Sequence, residues 1–217
     1  GLKGDHSILS AGAVGICGAS AALAISSVLP THKDHERNTI MTVAGVTALS
    51  TVAMVLYPVF AKYLNYDNAT AGVFLGATIH DVAQVVGAGY IISDQTGEVS
   101  TLVKLIRVAC LVPVVVTISL ITHRSRADSP DKRPLLPWFL VAFVILVVVN
   151  SMGWVPADAR TVLTPVSSWC LLTAVAALGV KTSLKALAEV GPAPVGVMVV
   201  QTLLLAVIIV GGIALIG

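Results

Sequence analysis

The sequence predicts an all-α polytopic membrane protein, and its composition and long apolar runs are the observations that predict it. Of its 217 residues, 56% are hydrophobic and only 11% are charged, with a mean hydropathy of +0.93. A soluble domain carries about 25% charged residues, so this charge content does not suit a water-exposed surface. Apolar runs of about 20 residues, the length of a bilayer-crossing helix, recur along the chain. Because backbone polar groups in hydrocarbon must pair internally, such unalternating runs favour helices over the strands of a membrane barrel.

Seven candidate spans follow one another along residues 1–217, and together they predict a single transmembrane unit. Each apolar run ends at a short loop, and in chain order these loops are THKDHERN, NYDN, SDQTGEVS, HRSRADSPDKRP, VPADAR and KTSLKALAEVG. Loops of this length leave no room for a separate soluble domain. The predicted spans cover residues 8–30, 39–62, 69–92, 102–122, 135–154, 162–180 and 192–217.

Charge and cysteine content disfavour several functions. The net charge is only +2, and no basic tract is interleaved with aromatic residues, so the sequence does not predict a nucleic-acid partner. Cys17, Cys110 and Cys170 all lie inside apolar runs, which favours small buried side chains over disulfides or metal ligands. The sequence contains no CxxC or HExxH spacing and no nucleotide-binding loop, so we expect no metal, no cofactor and no direct use of ATP.

Polar residues interrupt the third candidate span in the stretch TIHDVAQVV, residues 78–86. An aspartate at the centre of a bilayer costs at least about 2.5 to 3.5 kcal/mol, so it must face protein or a wet cavity. On a continuous helix, His80, Asp81 and Gln84 share one arc of about 100°. This arc predicts a substrate or ion site or a proton relay. A purely structural polar knot between helices and a re-entrant loop are the alternatives.

Small residues in the same span have two interpretations. Gly72, Gly76, Ala83 and Gly87 are spaced about four residues apart, which allows neighbouring helices to approach closely. Gly76, Gly87 and Gly89 also bracket TIHDVAQVV with positions where a helix can break. A broken helix exposes its N-terminal N–H groups to anions, and transporters build substrate sites from such half-helices.

The first candidate span offers a partner for this element. Its segment GAVGICGASAALA also carries glycines inside an apolar run, and its polar side chains are only Cys17 and Ser20. Residues 16–21, ICGASA, align with residues 79–84, IHDVAQ, as two versions of one element. Half-helix ends in these two places would together form a site for a small anion.

A cationic pair lies at one end of the fourth candidate span, in KLIRVAC. Lys104 and Arg107 are three residues apart, and Arg107 lies about five residues, roughly 8 Å, inside the span. Snorkelling of Arg107 to the membrane interface is one interpretation, and a contact to Asp81 or to an anion is the other. The candidate substrate-binding residues are therefore Gly15, Cys17, Gly18, Ser20, Thr78, His80, Asp81, Gln84 and Arg107.

Five segments in this order resemble the YeiH family of bacterial inner-membrane proteins, usually labelled sulfate exporters. They are GICGASAALAI, VAMVLYPVF, GATIHDVAQVVGAGYIIS, KLIRVACLVPVVV and AALGVKTSLKAL. The resemblance implies a multi-pass protein of the bacterial inner membrane with two inverted repeats and crossed, broken helices. It also implies that this chain corresponds to the C-terminal two thirds of a family member, which begins with about four further spans.

The residues and the resemblance together predict a secondary transporter that exports a small anion, such as sulfate or a related sulfur oxyanion or sulfonate. Coupling to protons through His80 and Asp81 is one form of this prediction. A structural or regulatory membrane subunit is an alternative, and an intramembrane enzyme is disfavoured because the spans contain no Ser-His-Asp set or clustered metal ligands. The expected partners are the anion, protons, the lipid bilayer and further copies of the chain in a homo-oligomer.

Overall fold

The structure, a computed structural model, describes residues 4–30, 35–124, 138–156, 158–159, 161–167, 169–170, 173 and 192–216. Every regular element within these residues is an α-helix, so the predicted all-α class is confirmed for them. The principal helices are α1 (Gly4–Gly15), α2 (Ala19–Val28), α3 (His35–Tyr63), α4 (Asn68–Thr78), α5 (Val82–Ile92), α6 (Asp94–Ala109), α7 (Leu111–Arg124), α8 (Trp138–Ser151) and α9 (Pro192–Ile216).

Three helices in the described residues are long and apolar enough to cross a bilayer. They are His35–Tyr63, Asp94–Thr122, in which α6 and α7 continue through Cys110, and Pro194–Leu215. Two of the predicted spans, 8–30 and 69–92, are instead each divided into two short helices, so the predicted count of seven spans is not confirmed. The predicted span at 162–180 lies largely outside the described residues.

The first break separates α1 from α2 at residues 16–18. Gly18 has a φ of 64°, a backbone conformation that side chains with a Cβ rarely adopt, and it directly precedes the first residue of α2. The amide of Gly18 donates to the carbonyl of Ala13 at 2.9 Å, so the end of α1 closes on itself before the chain turns. The glycine therefore permits the interruption that the sequence predicts here.

The second break separates α4 from α5 at residues 79–81. Ile79 and Asp81 have extended backbone conformations, and no glycine lies within the break. The broken helix predicted for this span is thus confirmed. The prediction that His80, Asp81 and Gln84 share one helical arc was wrong, because His80 and Asp81 lie in the extended segment that precedes α5.

Glycines around the second break bring α4 and α5 close to α6. A Cβ added at Gly76 would collide with the carbonyl oxygen of Ser100, and one added at Gly89 would collide with the Ser100 hydroxyl. A Cβ at Gly72 would lie 2.7 Å from the side chain of Val99. These three glycines therefore serve close helix packing, and the chain breaks between Gly76 and Gly89 rather than at either of them.

Helix α6 begins earlier than the sequence predicts. It starts at Asp94 instead of residue 102, and its N-cap residue Ser93 accepts a hydrogen bond from the Thr96 amide at 3.1 Å. The polar stretch SDQTGEVS is consequently the first two turns of a helix and not a loop. This difference places Lys104 and Arg107 deep within the helix instead of near its beginning.

Candidate functional site

The two breaks, residues 16–18 and 79–81, meet at one place in the structure, which we call the crossing. A Cβ added at Gly18 would lie 3.5 Å from the carboxyl carbon of Asp81 and 3.5 Å from the carbonyl carbon of His80. Gly18 and Asp81 are the N-cap residues of α2 and α5. The N-terminal ends of both second half-helices therefore lie side by side at this crossing.

Lys104 of α6 joins the two breaks from one side. Its side chain is completely buried, and its Nζ donates to the carbonyl of Ile16 at 2.9 Å and to the carbonyl of Ile79 at 2.7 Å. Carbonyls that follow a helix end have no partner within that helix and would not reach water inside the hydrocarbon. Lys104 satisfies one such carbonyl in each break.

Arg107 lies one turn further along α6 and repeats the arrangement. Its Nη1 donates to the carbonyl of Ala77 at 2.6 Å, and its Nη2 donates to the carbonyls of Gly15 at 2.6 Å and Val14 at 3.2 Å. The guanidinium thus spans the C-terminal ends of α1 and α4. Neither snorkelling nor a contact to Asp81 describes these contacts, and the alternative contact to an anion stays a prediction.

The two cations contact matching positions in the aligned elements. Ile16 and Ile79 are the first residues of the aligned segments, and Val14 and Ala77 each lie two residues before them. A helix carries roughly half a negative charge at its C-terminal end and half a positive charge at its N-terminal end. Two positive side chains at two C-terminal ends therefore offset the negative poles, while the positive poles of α2 and α5 are left at the crossing.

Helix α3 holds the N-terminal end of α5. The amide of Asp81 donates to the Ser50 hydroxyl oxygen at 3.0 Å, and the Gln84 side-chain amide donates to the Thr51 hydroxyl oxygen at 2.9 Å. Ser50 is fully buried and Asp81 is half-buried. The Asp81 side chain makes no capping hydrogen bond to the first turn of α5.

His80 faces a different neighbour. Its Nε2 lies 3.0 Å from the Thr202 hydroxyl of α9, and the His80 side chain is completely buried. The hydrogen bond connects the second break to the last described helix across 122 residues of sequence. His80 and Asp81, although adjacent, therefore point to different parts of the structure.

The other candidate residues are distributed around the crossing. Cys17 is buried inside the first break, and Ser20 is exposed in the first turn of α2. The Thr78 hydroxyl donates to the Phe74 carbonyl at 2.6 Å, within its own helix. Gly15 contributes its carbonyl to Arg107. Sequence reasoning identified Lys104 only as a neighbour of Arg107 and assigned it no contact. It did not identify Ser50, Thr51 or Thr202, since their partners are distant in the chain.

The groups at the crossing suit binding and positioning. Helix-end amides, hydroxyls and one carboxylate surround the two N-cap positions. Within the described residues, no group of three or more His, Cys, Asp or Glu side chains could hold a metal ion. The arrangement resembles the general pattern in which discontinuous transmembrane helices point their positive ends at an anionic group.

Comparison with known proteins places this chain among membrane proteins. Residues 1–198 match the family model described as Conserved hypothetical protein 698. The chain is 55% identical to a UPF0324 membrane protein of Chlorobaculum tepidum, in an alignment that covers 95% of this chain and 58% of that protein. It is 50% identical to the UPF0324 membrane protein TauZ of Paracoccus denitrificans, with 97% of this chain and 63% of TauZ covered. The chain thus spans about three fifths of the length of these relatives, and no solved structure matches it significantly.

Proposed function

Since the chain belongs to the family described as Conserved hypothetical protein 698, and the relatives it resembles are UPF0324 membrane proteins, we propose that it forms part of a secondary transporter. The proposed substrate is a small anion, such as sulfate or a related sulfur oxyanion or sulfonate. Multi-pass membrane location is supported by the relatives and by the apolar helices. Export and the bacterial inner membrane complete the proposal.

The observation that carries this proposal is that the C-terminal helix ends at the crossing are bound by side chains and the N-terminal helix ends are not. Lys104 and Arg107 contact the C-terminal carbonyls of α1 and α4, whereas the N-terminal ends of α2 and α5 receive no cap from their N-cap side chains. Free helix N-termini bind anions through their N–H groups and their positive poles. Two such ends converging on one point provide a site for an oxyanion with several acceptor oxygens.

A transport cycle follows from how the crossing is attached. The crossing is tied to α6 by two cations, to α3 by Ser50 and Thr51, and to α9 by Thr202. Alternating access in transporters of this kind moves one bundle against the other around a fixed central site. His80 and Asp81 are the titratable groups at the second break, so proton coupling belongs to the proposal.

A structural or regulatory membrane subunit is the second candidate, and the environment of His80 favours it. A packing role predicts buried and paired polar side chains, and His80 is buried with its Nε2 hydrogen-bonded to Thr202, although its Nδ1 has no partner among the described residues. Asp81, which is half-buried and lacks a cap bond, does not fit that role. An intramembrane enzyme is less favoured, because the hydroxyl and imidazole of the Thr202–His80 pair are sealed from any substrate.

The test is uptake of labelled sulfate, sulfite and taurine by proteoliposomes that contain the full-length protein, with and without a pH gradient. Ser20→Glu places a carboxylate in the exposed first turn of α2, where it repels an anion but does not disfavour the helix. Ser27→Glu makes the same change at an exposed serine near the other end of α2. We expect uptake by the wild type and by Ser27→Glu, and little uptake by Ser20→Glu.

Two results would contradict the proposal. Absence of uptake of all three anions by folded wild-type protein would favour the structural subunit. Equal uptake by Ser20→Glu and Ser27→Glu would mean that the anion does not bind at the N-terminal end of α2, even if transport itself were observed.

A further inference from the structure

Asp81 and Gln84 have the spacing of a capping box at the start of α5. In such a box the N-cap side chain binds the amide three residues later, and the side chain at that later position binds the N-cap amide. Here neither bond forms: the Asp81 side chain makes no cap bond, the Asp81 amide donates to Ser50, and the Gln84 side chain donates to Thr51. Two acceptors, the Asp81 carboxylate and Gln84 Oε1, are consequently left in the same helical turn.

The orientation of the Gln84 amide follows from its neighbours. The Thr51 hydroxyl donates its hydrogen to the Thr47 carbonyl at 3.0 Å, so its oxygen is available only as an acceptor towards Gln84. The group that faces Thr51 must therefore be the Gln84 Nε2. Gln84 Oε1 then has no hydrogen-bond partner, although the side chain is only 2% exposed.

Burial determines what can satisfy this oxygen. An unpartnered buried acceptor is costly, and Gln84 Oε1 lies sealed from solvent, so no substrate atom has access to it as the site stands. A proton needs no additional room. A protonated carboxyl carries an O–H donor, and side chains at these two capping-box positions lie on adjacent parts of the same turn.

We propose that one proton on Asp81 switches the site: the protonated carboxyl donates to Gln84 Oε1, and the oxyanion substrate then binds at the N-terminal ends of α2 and α5. An ionised Asp81 occupies the positive poles of these helices itself and repels a second anion. Proton and anion therefore bind together and leave together. The inference rests on the proposed anion transport and assigns its coupling to Asp81 instead of His80.

The surrounding charges are consistent with this assignment. Lys104 and Arg107 of α6 are engaged by helix-end carbonyls. His80 is completely buried, with its Nε2 on Thr202 of α9 and its Nδ1 without a hydrogen-bond partner in the described part of the chain. The side chains that α3 presents here, Ser50 and Thr51, are uncharged. The remaining titratable group in the two breaks is Cys17. Of these groups, Asp81 alone pairs a carboxylate with an unsatisfied acceptor in its own turn.

Binding of sulfate to the purified full-length protein, measured by calorimetry over a series of pH values, tests the inference. Sulfate keeps its charge across the neutral range, so a pH dependence reports on the protein. Wild-type affinity is expected to fall about tenfold per pH unit once Asp81 ionises, as linkage of one proton to one anion requires. Asp81→Asn retains an N–H donor for Gln84 Oε1 and no charge, so it should bind sulfate with an affinity that does not change with pH.

A proton count and a control variant complete the design. In weakly buffered solution with an indicator dye, at a pH within the range where the wild-type affinity falls, wild-type protein should take up one proton for each sulfate bound. This measurement does not depend on whether Asp81→Asn folds. Asp94→Asn removes an exposed carboxylate outside the two breaks and should keep the wild-type pH dependence. Proton uptake of zero, a wild-type slope in Asp81→Asn, or loss of sulfate binding by folded Asp81→Asn would each overturn the assignment.

Two further outcomes separate the inference from the proposed function. If taurine binds better as pH rises and loses that binding in Asp81→Asn, the carboxylate receives the ligand's ammonium group, and the proton switch is wrong while transport stands. If the wild type binds no sulfate at any pH, the anion-transport proposal and the switch are both overturned.

Discussion

The two breaks share one support and differ in chemistry. Both place their helix-end carbonyls on Lys104 and Arg107, at matching positions. The first break turns at Gly18 and contains no ionisable side chain other than Cys17, whereas the second lacks glycine and contains His80 and Asp81. The shared feature therefore serves the geometry of crossing, and the difference is that the second break holds the titratable side chains His80 and Asp81.

The same difference determines what each break depends on. The first depends on backbone freedom, because a positive φ at Gly18 is needed for the turn. The second has ordinary extended backbone and depends on side-chain contacts from other helices, Ser50 of α3 and Thr202 of α9. Substitutions that affect one support but not the other can test this division.

The largest expected effect is that of Lys104→Met, which removes the support common to both breaks. Two buried carbonyls lose their donor, and each unsatisfied group costs about 1 to 3 kcal/mol, so we expect a loss of about 2 to 6 kcal/mol in the free energy of unfolding. Denaturant unfolding of the detergent-purified protein measures this loss. Lys62→Met makes the same chemical change at an exposed position and should cost little. Similar losses in the two variants would mean that Lys104 does not hold the crossing.

Gly18→Ala should act through the backbone of the first break. The added Cβ has space, since its nearest neighbours are 3.5 Å away, but the backbone conformation is one that costs a residue other than glycine about 1 to 3 kcal/mol. Gly15→Ala, three residues earlier, has no atom within 4 Å of the added Cβ and lies in helical backbone. It should stabilise α1 by up to about 1 kcal/mol. We expect the midpoint of thermal unfolding to fall in Gly18→Ala and to rise in Gly15→Ala. Equal shifts of the midpoint in the two variants would contradict a special role of Gly18.

Thr202→Val should affect the second break through His80. It removes one buried hydrogen bond, with a net cost of about 1 kcal/mol. Thr202→Ser keeps the hydroxyl and should retain the bond, so the two variants should differ in midpoint of thermal unfolding. If they are equally stable, α9 is held to the crossing by packing alone.

Part of this arrangement could be predicted from sequence. The alignment of ICGASA with IHDVAQ predicted two related breaks because small and polar residues in an apolar run are a local signal. The role of Lys104 was not predicted, since SDQTGEVS was interpreted as a loop although Ser93 begins a helix there. Ser50, Thr51 and Thr202 carry no local signal at all, because hydroxyls in membrane helices become significant only through the residues that they meet.

The smallest expected effect concerns the contrast between two N-cap aspartates. Asp67 at the start of α4 caps its helix, accepting the Thr70 amide at 2.7 Å, whereas Asp81 leaves α5 uncapped. Hydrogen bonds from the hydroxyl and amide of Thr70 hold the pKa of Asp67 below its ordinary value. The ionised carboxylate therefore stabilises the fold above pH of about 4, and this contribution disappears as the pH falls through the lowered pKa.

Asp67→Ala should accordingly lower the midpoint of thermal unfolding slightly at neutral pH, and the difference from wild type should vanish in acid. Asp67→Asn retains a capping side chain without a titration, so it should stay close to wild type at neutral pH. Asp81→Asn should not lower the neutral-pH midpoint, because the carboxylate that it replaces makes no cap bond and the new amide can donate to the unpartnered Gln84 Oε1. A loss of stability in Asp81→Asn as large as that in Asp67→Ala would make Asp81 a structural cap like Asp67 and would contradict its proposed proton-binding role.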